Sequence, residues 1–200
     1  MKNLSLLSFA LVAFALIGMS FTNPGNGNEK LTADVEKSDI IWKGYKVTGS
    51  HTGTINLKSG ALDFDGDNLV GGTFEIDMTS INCTDLSGEY KGKLEGHLKS
   101  DDFFGVKSHP TAKFLITKVV HKGTPGDYKV IGNLTIKDTT KEIKFFTNVK
   151  EEGGKKVAVA EMTIDRSDFD VRYGSGSFFG NLGDKTIYDE FDLEVTLVSE

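Results

Sequence analysis

From about residue 39 onward, apolar and polar residues alternate in short runs separated by turn-forming residues. In residues 69–80, Val70, Gly72, Phe74, Ile76 and Met78 fall on one parity, and Thr73, Glu75, Asp77 and Thr79 on the other. A period of two with one polar side predicts a strand with one dry face. The same pattern returns at 111–121 (Ala112, Phe114, Ile116), 128–137 (Tyr128, Val130, Gly132, Leu134, Ile136) and 141–149 (Ile143, Phe145, Val149). It returns again at 155–164 (Ala158, Ala160, Met162, Ile164) and 188–198 (Phe191, Leu193, Val195, Leu197). Shorter runs at 39–47, 51–57 and 61–65 predict three more strands.

Turn signals fall between these runs, among them Lys58-Ser59-Gly60, Asp65-Gly66-Asp67, Asp138-Thr139-Thr140 and Glu152-Gly153-Gly154. Such short gaps predict antiparallel hairpins. Eight or nine strands in succession predict a sandwich or a barrel. One segment breaks the pattern. Residues 85–100 carry Leu86, Tyr90, Leu94 and Leu98 at helical spacing, with Asp85 placed as an N-cap. A helix here would cover one end of the sheet, and a short second helix is expected near 178–182.

Composition narrows the function classes. Lys plus Arg is 23 and Asp plus Glu is 29, a formal charge of −6. This acidic balance argues against a nucleic-acid partner, which needs a basic face. The 14 Phe against 5 Tyr and 1 Trp favour a dry interior. A single cysteine excludes an intrachain disulfide and any multi-cysteine metal site. At the N-terminus, Lys2 precedes an apolar run up to Ile17, followed by the small residues Gly18 and Ser20. That order predicts a cleaved secretory signal peptide over 1–20 and hence a periplasmic or secreted protein with no stable membrane span after cleavage. Residues 21–30 read as a polar linker and 31–200 as the folded domain.

Motifs for chemistry fail on inspection. Asp63, Asp65 and Asp67 open like a calcium loop, but the sixth position is Asn68 and the twelfth Phe74. The glycines at 174–180 are wrongly spaced for a dinucleotide fingerprint and read as a loop. His51, His97, His109 and His121 are not spaced as metal ligands and read as surface or turn residues. Of these His51, between Ser50 and Thr52, is the candidate for a polar contact at a pocket mouth. Cys83 has no basic neighbour in sequence to activate it. No catalytic dyad, metal site or cofactor is expected, so the protein is read as a non-enzyme.

Several stretches together resemble the YceI-like family: residues 49–55, 71–78, the run from Leu94 to Phe104, Ser108-His109-Pro110-Thr111-Ala112-Lys113-Phe114, residues 132–143, and Ile164-Asp165-Arg166-Ser167-Asp168-Phe169. The resemblance implies an all-β fold: an eight-stranded antiparallel, lipocalin-like barrel capped at one end by one or two short helices. It also implies a long apolar ligand in the lumen: a polyisoprenoid, an isoprenoid quinone-like molecule or a fatty-acyl lipid. This chain departs from the family at Asp170, where many members carry Gly.

An eight-stranded barrel either fills with side chains or holds one ligand. Small inward residues (Gly44, Gly72, Ala112, Gly132, Ala158, Ala160) favour a hollow, unless they serve to let bulky neighbours interdigitate. The candidate lumen residues are Trp42, Phe74, Ile76 and Met78, then Phe104, Phe114 and Ile116, then Leu134, Ile136 and Phe145, and lastly Met162, Phe191 and Leu193. A micromolar complex needs about 8 kcal/mol net, association costs roughly 4–15 kcal/mol, and each buried methylene returns about 0.8 kcal/mol. A mainly apolar ligand therefore needs on the order of 15 to 30 buried carbons. With no cation evident inside the strands, its polar head is expected at the mouth. The expected role is carrier or store. The alternatives are a solid-barrel interaction module and, less favoured, an enzyme acting on a lipid.

Overall fold

The computed structural model describes residues 27–200. The expected leader, and all of the expected linker before residue 27, lie outside the described residues. The first strand, β1 (Asn28–Thr32), occupies the rest of that linker stretch. It is followed by β2 (Asp39–Lys46), β3 (Gly49–Asp65), β4 (Asn68–Cys83), helix α1 (Gly88–Lys99), β5 (Thr111–His121), β6 (Asp127–Ile136), β7 (Thr139–Glu152), β8 (Lys155–Asp165) and β9 (Ile187–Val198). No helix among the described residues is long and apolar enough to cross a membrane.

Strands β2 to β9 close on themselves through the β3–β4 pairing, giving an eight-stranded antiparallel barrel. β1 adds an outer rung on the far half of β3, from Asn28↔Asp65 to Thr32↔Ala61. The alternation read from the sequence survives almost intact in β6, where Tyr128, Val130, Gly132, Leu134 and Ile136 are buried in turn.

Elsewhere bulges shift the parity. Lys58-Ser59-Gly60 is not a turn. β3 runs straight through it, with Lys58 left over between the pairs Leu57↔Ile76 and Ser59↔Glu75. The extra residue bends the strand without ending it. A second bulge expels Val70, because Asp63 pairs with Gly71 and Phe64 with Leu69. Leu69 is therefore buried and Val70 exposed, the reverse of the simple alternation.

The two ends of the barrel differ. At one end Tyr128 accepts a hydrogen bond from the Leu69 amide and donates one to the Asp67 carbonyl, both at 3.3 Å. Phe64, Leu69 and Val130 are fully buried there. The Lys156 ammonium reaches Asp67 at 3.1 Å and ties β8 to the same hairpin. The other end carries α1, the 100–110 loop and the long β8–β9 connection. That connection begins with a 3-10 turn, Arg166–Phe169. The β7–β8 ladder stops at Phe146↔Glu161, and the turn packs against β7 above that point, burying Phe169 among Ile136, Ile164 and Met78.

Helix α1 starts three residues later than Asp85. Ser87 takes the N-cap position, without a side-chain cap bond. Asp85 is not a cap: its carboxylate is engaged by His51, Thr52 and Cys83. No helix forms at 178–182. A single 3-10 turn, Gly183–Lys185, follows that stretch.

Candidate functional site

The barrel encloses a cavity of about 400 Å³. That lies in the range of small-molecule sites. Every lumen candidate named from the sequence borders it: Trp42 on β2, Phe74, Ile76 and Met78 on β4, and Phe114 and Ile116 on β5. Leu134 and Ile136 on β6, Phe145 on β7, Met162 on β8 and Phe191 and Leu193 on β9 continue the wall, and Phe104 contributes from the 100–110 loop. In the depth of the cavity the lining is almost wholly hydrocarbon. Thr147 is an exception, and its hydroxyl is satisfied by the Val159 carbonyl at 2.8 Å.

The small inward residues do both jobs the sequence allows. A Cβ added at Gly132 would stand 2.5 Å from the Phe114 ring, so the missing side chain leaves room for that ring. At Gly44 nothing lies within 4 Å of such a Cβ, and the space there is open. Interdigitation and hollow therefore coexist at different heights.

The opening has a local cause. Gly44 pairs with Phe191 and Lys46 with Ile187, so Tyr188, Asp189 and Glu190 stand opposite Tyr45 alone. This wide bulge splays β9 from β2 at the rim. Lys46, Tyr188 and Glu190 line the cavity and are solvent-exposed, which marks the mouth. His51 is there too, with Nδ1 3.0 Å from the Asp85 carboxylate. Asp85 also accepts from the Thr52 amide and the Cys83 thiol. Partial burial works against the charge, but these donors win and hold the Asp85 carboxyl below the ordinary carboxylate range. The Cys83 thiol is fully buried. Burial first, and the Asp85 carboxylate second, push its pKa up, away from a reactive thiolate.

The helical stripe expected to cover one end does so through Leu94 and Leu98 of α1, and His97 beside them is a contributor that went unread. His97, expected at the surface, is half-buried between the rings of Phe103 and Tyr173, with centroids at 5.6 and 4.4 Å. The expectation of no cation inside the strands passes over one just beyond β8. Arg166 lines the lumen, 2% exposed. Its Nε donates to the Tyr188 carbonyl, Nη1 to Val171 and Nη2 to Ile187 at 2.7–3.1 Å. Nη2 also lies 3.2 Å from an Asp189 oxygen, a charge contact without hydrogen-bond alignment. Burial pushes the guanidinium below its usual value, while the Asp189 and Asp165 charges oppose that shift. With its donors spent on carbonyls, Arg166 staples the rim together. One signal was available: an Arg flanked by Ile164, Phe169 and Val171, all destined for burial. Among the described residues, no three His, Cys, Asp or Glu side chains gather as a metal site.

Comparison with known proteins agrees with this architecture. The sequence profile described as "YceI-like domain" matches residues 31–199. A UPF0312 protein of Shewanella denitrificans is 32% identical over 101 residues, which is 50% of this chain and 50% of that relative. A UPF0312 protein of Pectobacterium carotovorum is 30% identical over 62% of its length and 60% of this chain, so the matched part is about half to three fifths of these relatives. Among solved structures, BcnA of Burkholderia cenocepacia superposes with a TM-score of 0.65 at 22% identity, over 84% of this chain and 99% of that one. A polyisoprenoid binding domain from Saccharophagus degradans gives 0.61 at 14% identity, over 87% and 99%. At these identities the structures speak for the fold.

Proposed function

Since this chain belongs to the YceI-like domain family, we propose that it is an exported binding protein that holds one long apolar molecule in its barrel and carries or stores it without chemistry. The observation that carries this reading is the lumen: about 400 Å³, lined by hydrocarbon, closed by Tyr128 at one end and open at the Tyr188–Glu190 bulge. Such a space rewards methylene burial, and the buried cation on its wall, Arg166, has its donors spent on backbone carbonyls. A prenyl chain, a quinone-like prenyl lipid or a fatty-acyl lipid fits that chemistry. One structural neighbour is described as a polyisoprenoid binding domain, which supports the prenyl class. The polar head stays at the mouth, where His51, Lys46, Tyr188 and Glu190 offer hydrogen bonds. Export to the periplasm or beyond rests on the leader pattern of residues 1–20.

Trp42 is the chain's single tryptophan and borders the lumen, its indole N–H fixed on the Thr54 carbonyl at 3.2 Å. Titration with an isoprenoid quinone should quench its fluorescence saturably, at one ligand per chain. No quenching, with no bound quinone recovered on gel filtration, would overturn the reading.

A further inference from the structure

The exposed aromatic side chains are not scattered. Among the described residues the large hydrophobic side chains left exposed include six aromatics: Tyr90, Phe146, Tyr173, Phe178, Phe179 and Tyr188. Five of these, all but Phe146, belong to the end of the barrel where the lumen opens. Tyr188 lines the mouth itself. Tyr173 packs edge-on against His97, another lining residue, at 4.4 Å. Tyr90 lies one helical turn before Leu94, where the cavity-facing stripe of α1 runs past the rim.

Phe178 and Phe179 are 43% and 50% exposed, at the tip of the glycine-rich β8–β9 connection. The base of that connection is fastened to the mouth strand. The Ile187 amide donates to the Gly174 carbonyl at 2.8 Å. The Ser175 and Ser177 hydroxyls both donate to the Asp189 carboxylate, at 2.9 and 2.6 Å. A soluble chain gains nothing from presenting two adjacent phenylalanines on a pinned loop unless something apolar meets them.

From this placement we infer that the aromatic rim at the barrel mouth, led by Phe178 and Phe179, docks into the surface of a lipid bilayer and passes the ligand between bilayer and lumen. The inference rests on the binding role proposed above. A ligand of that kind resides in membranes, and each methylene that crosses open water is penalised. A mouth seated in the headgroup layer avoids the crossing. Tyrosine and phenylalanine rings suit that layer, where one part of the surface is apolar and another wet. The charges exposed at the rim carry no basic excess: Lys46, Lys107, Arg172 and Lys185 stand against Asp101, Asp102, Asp168, Asp170, Asp184 and Glu190. Docking is therefore by insertion, not by attraction to anionic lipid, and tolerates salt.

The test compares two deliveries of one probe, a fluorescent polyprenol: from phosphatidylcholine vesicles, and from detergent micelles. In the Phe178→Ser/Phe179→Ser variant, loading from vesicles should slow by about tenfold or more, the loss expected when two half-exposed rings stop inserting. Loading from micelles and the melting temperature should stay unchanged, because neither ring is packed in the core. Phe146→Ser, on the barrel wall, should load from vesicles as the parent does, and raised salt should not slow the parent.

Unchanged vesicle loading in the double variant would overturn the inference while leaving the lumen role standing, and would turn attention to a protein partner for the rim. Slowing of Phe146→Ser by the same factor would overturn it as well. Failure of the parent chain to load from either source would bring down the binding role itself, and the docking role with it.

Discussion

The Phe114 ring comes so close to Gly132 of the neighbouring strand that a Cβ there would sit 2.5 Å from the ring's Cζ and 2.6 Å from the Leu115 carbonyl oxygen. Ring and gap form one unit of the barrel wall. Gly132→Ala must displace either the ring or the backbone, and overpacking of this kind costs about 1–3 kcal/mol. Urea denaturation should show that loss. If the ring swings inward to make room, ligand capacity should fall as well.

Ala160 offers the opposite case. It borders the lumen on β8, between Ala158 and Met162 on the inward face. Ala160→Phe should project its ring into empty space, change stability by about 1 kcal/mol or less, and abolish uptake of a polyprenol. A destabilisation of several kcal/mol would mean the interior has no room at that height.

Arg166 should not tolerate lysine. Its planar fork serves three carbonyls, on Val171, Ile187 and Tyr188, which a single ammonium cannot reach together. Each buried carbonyl left without its donor costs about 1–3 kcal/mol. Arg166→Lys should lower the thermal midpoint and, before global unfolding, raise hydrogen exchange across residues 171–189. Exchange confined to other segments would show that the rim does not depend on this staple.

Asp85 sets an acid limit. Its folded pKa lies below the ordinary value because the Cys83, His51 and Thr52 donors outweigh partial burial. A depressed carboxylate pKa contributes stability that is fully present above the unfolded value, about 3.9, and is lost as pH falls through the folded one. The tie between the start of β3 and the approach to α1 should therefore hold at neutral pH and weaken below about pH 4. Glu75 and Asp192, lowered by bonds from Lys113 and from Thr163 and Tyr45, act in the same direction. In Asp85→Asn the urea midpoint should depend less steeply on pH between about 4 and 2 than in the parent, and an identical slope would remove Asp85 from the account.

Most of the barrel was legible because period-two alternation is a direct record of which side of a strand is dry. Phe74, Phe114, Leu134 and Phe191 could be placed by parity alone. Parity failed where a bulge added a residue. Val70 moved outward and Lys58-Ser59-Gly60 passed for a turn, because a bulge and a turn draw on the same small and polar residues. Asp85 has the chemistry of a helix cap, yet the backbone and side chains of β3 and β4 reached it first. The mouth was the least legible part. It arises where three β9 residues oppose one on β2, a mismatch between strands that no single run of sequence displays. Asp170, the departure from the family pattern, sits at φ +60°, the left-handed conformation that favours glycine. The side chain is accommodated there with its carboxylate paired to Arg172.

The central claim is that the lumen holds one long apolar molecule. Native mass spectrometry of the protein, purified gently from its own host, tests this most directly. The account predicts one added mass per chain that organic extraction removes, that polyprenol restores, and that Ala160→Phe never carries. A bare chain that also refuses added polyprenol would contradict it.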